Sequence, residues 1–231
     1  MELKNTNKLV KIYLFWAIIS IVFAVLVSKN YAESLTRILV IIFLIVQLIF
    51  KKKFITLFST YSPKLRFIFI GSFLASIVEG FHMISTPVFS NIRITENTSF
   101  IQGVNFYLID LIFTLPAYFI IFYVIWIFIN KYKYSLWEYI IIMGFSQALG
   151  DGGLFFFLAA PFMLLFLPYP TTNYHAINII PFLAVKDEIT PNNNKSLKEK
   201  IFSYSVIPSI IITYFICGAI IKVIGKFFGF E

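Results

Sequence analysis

Apolar residues run in long blocks along this chain, separated by short clusters of lysine, asparagine and serine. At 1.5 Å rise per residue, a helical block of roughly 17–25 apolar residues crosses a bilayer. The pattern predicts spans at residues 8–27, 34–50, 65–84, 104–129 and 137–158, a discontinuous sixth at 159–185 and a seventh at 201–224. The sixth is expected to be broken because it holds Pro161, Pro168, Pro170 and Pro181. A broken backbone persists at membrane depth only where protein or a cavity satisfies the freed groups. Ser135-Leu136-Trp137-Glu138 has the spacing of a capping box opening the fifth helix, and Tyr132, Tyr134, Trp137 and Tyr139 read as an interfacial aromatic belt. The expected fold is all-α: a polytopic membrane protein of about seven transmembrane helices, with no internal repeat and no soluble domain.

Composition supports this and removes other classes. Of 231 residues, 59% are hydrophobic and 13% charged, far from the balance of a soluble globular domain. The first apolar run follows Lys4 and Lys8 and is too long for a signal-peptide core, so it reads as a retained span. Cys217 is the lone cysteine, which excludes an intrachain disulfide. The net charge of +8 does not indicate nucleic acid, because the lysines sit in short loops beside spans, where cytoplasmic bias and anionic headgroups account for them. Alternating the loops places 14 of the 19 basic residues on one face, among them Lys51, Lys52, Lys53, Lys64, Arg66, Lys131 and Lys195. That split predicts a cytoplasmic N-terminus and an outer loop at 85–103, where the sequon Asn97-Thr98-Ser99 reads as chance in an Asn-rich chain.

The chemistry lies in three acids set inside apolar runs. Glu79, Asp110 and Asp151 have no basic residue within one helical turn. A carboxylate in a span costs about 2.5–3.5 kcal/mol on insertion scales, so each should face a partner, a cavity or water. Counting inward from the expected outer boundary puts all three at roughly 8–10 Å depth. Helical spacing gives each a polar neighbour: Ser76 and His82 for Glu79, Thr114 for Asp110, and Gln147 for Asp151. His175, in the polar start of the broken span near Asn178, maps to the same layer.

Carboxyl groups crowded together without a cation can exchange protons near neutral pH, which suits acid/base work on a lipid-like molecule and equally suits proton coupling in a transporter. Three separate contacts to Ser, Thr or Tyr as helix–helix glue is the bland alternative. Glu79-Gly80-Phe81-His82 has a Glu-x-x-His spacing but no second copy, so neither a metal nor another cofactor is expected. Gly150-Asp151-Gly152-Gly153 lacks the strand context and the Lys-Ser/Thr of a phosphate loop; its glycines suit close helix contact or a local break.

Three short pieces, Ile77-Val78-Glu79-Gly80, the run from Asp110 to Pro116, and Gly144 through Gln147 to Gly150-Asp151, resemble the EXPERA superfamily, which groups the emopamil-binding sterol isomerase with the sigma-2 receptor. The resemblance covers about residues 65–185. It departs at Ala75, where the isomerase has a histidine, and in the irregular last helix. It implies an EXPERA-like four-helix core at 65–185, preceded by two helices and a basic loop at 1–64 and followed by a polar linker and one span at 186–231. It also implies an intramembrane pocket, open toward the outer leaflet, for a sterol- or isoprenoid-like molecule or a lipophilic amine. Glu79 and Asp110 would be the acid/base or cation-stabilising pair, with Asp151 as a third acid and Ser76, His82, Tyr107, Thr114, Gln147, His175 and Asn178 lining the site. The expected partner is a membrane lipid or lipophilic small molecule, without nucleic acid. A proton-coupled small-solute transporter and a non-catalytic assembly protein remain the other two classes.

Overall fold

In a computed structural model, residues 8–56, 58–190 and 196–230 are described, and Lys4 and Lys195 of the predicted cytoplasmic set lie outside them. The chain is an all-α polytopic membrane protein. Its helices are α1 (Lys8–Val27), α2 (Tyr31–Ile49), the short α3 (Lys51–Thr56), α4 (Pro63–His82), α5 (Phe100–Lys131), α6 (Leu136–Ala148), α7 (Leu154–Ala159), α8 (Pro168–Val185), α9 (Leu197–Ser203) and α10 (Val206–Phe227). Among the described residues, six segments are long and apolar enough to cross a membrane: α1, α2, α4, α5, α6 with α7, and α9 with α10.

The sixth expected crossing corresponds to α8, which is 18 residues long but too polar to count among these six. It packs against α4, α6, α2 and α1, and its Thr171, Thr172, Tyr174 and Asn178 are buried. A helix wrapped by other helices meets protein instead of lipid, so it carries polar side chains that find partners there. Together α4, α5, α10, α6 and α8 form a closed ring of neighbours, each packed on the next. The helix α10, read from sequence as lying outside the bundle at 65–185, thereby completes the ring between α5 and α6. The core of the ring includes Phe67, Leu74, Phe122, Ile125, Met143 and Ile180.

The breaks fall only in part where the prolines suggest: Pro161 opens the irregular turn that follows Ala160, as expected. Pro168 and Pro170 lie in the first turn of α8, where a missing N–H costs nothing, and Pro181 stays inside α8 without ending it. The interruption lies between α6 and α7, at Leu149–Gly153, and again at Ala160, where a short 3-10 turn (Pro161–Phe166) leads into α8. That turn is pinned by α1: the Trp16 indole N–H and the Ser20 hydroxyl both donate to the Leu165 carbonyl, at 2.6 and 3.1 Å. Two donors on one carbonyl answer the backbone group that an irregular turn leaves open.

Two ends of the bundle follow. At one end Arg66 pairs with Glu188, the Tyr134 hydroxyl donates to the Ser203 carbonyl at 2.6 Å, and Ser135 and Glu138 form the expected capping box. At the other, the Thr36 hydroxyl donates to the Phe81 carbonyl at 3.0 Å and Phe89 lies against Gly225. The aromatic belt needs correcting. Tyr139 is fully buried, stacked on Phe182 with centroids 4.0 Å apart and bonded to Asn178, and Tyr134 is buried on Ser203. Each has a hydroxyl partner inside the protein, which draws the ring inward.

Candidate functional site

Glu79 on α4 and Asp110 on α5 are brought together. Asp110 is wholly buried and Glu79 is 9% exposed. Glu79 Oε2 accepts a hydrogen bond from the Tyr118 hydroxyl at 2.5 Å, and Asp110 Oδ1 accepts from the Val88 backbone N–H at 2.9 Å. The two carboxyl groups are close enough to act on one another. Asp110 Oδ2 is buried without a donor. Two ionised carboxylates are both pure acceptors and cannot bond one another. A single proton held between them, or a cation, supplies what Oδ2 lacks. Among the described residues no lysine or arginine forms an ion pair with Glu79, Asp110 or Asp151.

Asp151 forms a second centre. The chain at Leu149–Gly153 leaves regular helix, with Asp151 at φ −80°, ψ 42° and Gly152 at φ 88°. A positive φ is cheap only for glycine. Gly150 serves another purpose, since a Cβ there would lie 2.9 Å from the Tyr214 Cβ, so its absence lets α10 approach. The exposed Asp151 takes the Tyr174 hydroxyl on Oδ2 at 2.6 Å. Tyr174 meets Tyr214 edge to face, centroids 6.3 Å apart, and the Tyr214 hydroxyl donates to Gln147 Oε1 at 3.1 Å. Tyr214 and Asp151 act electrostatically on Tyr118 and Glu79. The three acids are therefore linked electrostatically, Glu79 and Asp110 as a pair and Asp151 as a third group reached past tyrosines.

The other expected residues divide. Tyr107 belongs to the pair: it feels both carboxyls, lies over Gly80 and donates to the Ser76 carbonyl at 2.8 Å. Ser76 and Thr114 turn their hydroxyls onto the backbone carbonyls of Ser72 and Asp110, both at 2.9 Å, and Thr114 also acts on the Asp110 carboxyl, as its spacing predicts. Gln147 was expected on the face of Asp151; the broken helix re-aims Asp151 to Tyr174 and leaves Gln147 to Tyr214. His82 does not join Glu79. Its Nε2 takes the Asn173 amide at 2.8 Å and its Nδ1 bonds the Thr86 hydroxyl at 2.8 Å. His175 meets the Tyr13 hydroxyl at 2.5 Å with its ring against Gly144, and Asn178 joins Tyr139 at 3.1 Å; neither touches an acid.

Sequence reasoning missed Tyr118 and Tyr174, the donors to Glu79 and Asp151, and Tyr214, which meets Tyr174 and donates to Gln147. The available signal was a tyrosine inside a span otherwise rich in phenylalanine, because a buried hydroxyl needs a partner. It also missed Arg37, which is 4% exposed on α2, stacked 4.3 Å over the Tyr169 ring and donating to Asn173 Oδ1 at 2.5 Å. No family model, curated protein or solved structure matches the chain.

Proposed function

We propose that this membrane protein binds a lipophilic ligand at the Glu79–Asp110 pair, with sterol- or isoprenoid-like molecules and lipophilic amines as the class. The supporting observation is the buried, donorless Asp110 Oδ2 beside a second carboxyl, with no ion pair to a basic side chain among the described residues. A protonated amine would replace the shared proton and donate to both groups. For a ligand without nitrogen, the shared proton is itself the reagent, available to be passed to an alkene carbon and taken back from its neighbour, which is isomerisation. Tyr107, half-buried over Gly80, is the side chain that would yield to admit the ligand from the bilayer. The EXPERA resemblance points to the same pair and the same ligand class.

A second reading, proton-coupled transport of a small solute, draws on a different observation: Asp151, an exposed residue whose carboxyl is bonded to Tyr174, sits at a broken helix, the arrangement in which transporters place coupling sites. One set of measurements separates the two. A lipophilic tertiary amine is expected to raise the unfolding temperature of the purified protein, by mass action on the folded state, and Asp110→Asn to remove that shift. If amines give no protection while proteoliposomes show pH-gradient-driven uptake that Asp151→Asn abolishes, the ligand-binding reading fails and transport replaces it.

A further inference from the structure

The end of the bundle opposite the acids carries a cleft of about 490 Å³ between the first turn of α4 and the last turns of α5, lined by Lys64, Tyr123, Trp126, Ile127, Asn130 and Lys131. We propose that this cleft binds the phosphate of an anionic phospholipid headgroup. Neither ammonium is spoken for. Lys64 lies 4.5 Å over the Tyr123 ring and Lys131 5.3 Å over the Tyr132 ring, and among the described residues neither pairs with a carboxylate. The nearby acid Glu188 is taken by Arg66. Cations stacked on aromatic faces are held in place while their remaining donors point outward, so two positive charges converge on one cleft without being neutralised.

The position selects a lipid. Lys64 begins α4 and Lys131 ends α5, both of which are candidate membrane spans, so the cleft opens where a bilayer would place its headgroups. From the lysines an apolar track continues along α5: Ile127, Tyr123 and Ile120 recur at spacings of four and three residues and are 47%, 44% and 49% exposed. Those residues offer an acyl chain a surface that continues directly from the phosphate position. Basic clefts between transmembrane helices take acidic lipid headgroups by this combination of charge and apolar wall. Free inorganic phosphate would use the same lysines but gain nothing from the track.

The test reads quenching of Trp126 fluorescence by acyl-brominated lipid, taken as the difference between the full-length protein and its Trp126→Phe variant in nanodiscs. Brominated phosphatidylglycerol is expected to outcompete brominated phosphatidylcholine at this position by about thirtyfold, from about fivefold per lysine near a surface. Lys64→Gln with Lys131→Gln should bring the two lipids to parity, and Lys64→Arg with Lys131→Arg should restore the preference. Equal quenching by both lipids in the unsubstituted protein overturns the proposal, and that comparison decides even if the glutamine variant does not fold. Complete displacement of brominated phosphatidylglycerol by millimolar inorganic phosphate would assign the cleft to free phosphate and overturn the lipid.

Discussion

Tyr118→Phe isolates one bond of the acid layer. The substitution keeps the ring and removes only the hydroxyl that sits 2.5 Å from Glu79 Oε2. An ionised Glu79 makes this bond charge-assisted. A bond of this kind contributes about 1.5–3 kcal/mol, against about 0.5–1.5 for a neutral one. For a chain of this length each kcal/mol moves the unfolding temperature by about 2–4 °C, so the variant should unfold roughly 3–12 °C lower. The partner variant Glu79→Gln leaves an amide oxygen in place of the carboxylate. In that background Tyr118→Phe should cost only about 0.5–1.5 kcal/mol. The cycle therefore predicts a coupling energy of about 1 kcal/mol, measured by denaturant titration in mixed micelles. Tyr123→Phe serves as the control, because its ring is 44% exposed and its role is to carry Lys64. A cost below about 0.5 kcal/mol, or the same cost in both backgrounds, would mean that Tyr118 does not support a charged pair, and the proton-sharing account of Glu79 and Asp110 would fall with it.

Further outcomes follow from the same geometry. Glu79→Gln and Asp110→Asn should be non-additive by about 1 kcal/mol or more in stability, since each amide supplies Asp110 or Glu79 with a permanent donor, whereas Glu79→Gln with Asp151→Asn should add within roughly 0.5 kcal/mol across the tyrosines; strict additivity in the first cycle would separate the pair. Gly152→Ala should cost about 1–2 kcal/mol through its φ of 88° alone, because nothing lies within 4 Å of a Cβ there, while Gly150→Ala should perturb the α6–α10 contact and shift Tyr214; equal behaviour of the two would contradict the break at Asp151. In a Cys217→Ala background, Lys52→Cys and Asn97→Cys should label from opposite sides of a sealed membrane, and labelling from one side would remove the common layer of the acids.

The sequence alone determined the class of molecule and the level of its chemistry. Long apolar runs require helices in lipid, because no other open structure satisfies the backbone there, and three acids without a cation had to lie where something other than lipid meets them. The capping box at Ser135–Glu138 was legible because it is local, formed within one turn. What tertiary structure decided was who faces whom. The helical spacing that joined Glu79 to His82 is real, but a helix face is about 100° wide, and packing turned Glu79 to Tyr118 and His82 to Asn173. The bond from Val88 to Asp110 spans 22 residues, and Tyr214 reaches Gln147 across 67. No periodicity encodes either contact. Of the four prolines only Pro161 stands at a break, for a related reason. At the start of α8 a missing N–H has no bond to lose, whereas the glycines of Gly150-Asp151-Gly152-Gly153 permit a conformation that only the neighbouring α8 and α10 make favourable, by offering Asp151 a tyrosine and Gly150 a close partner.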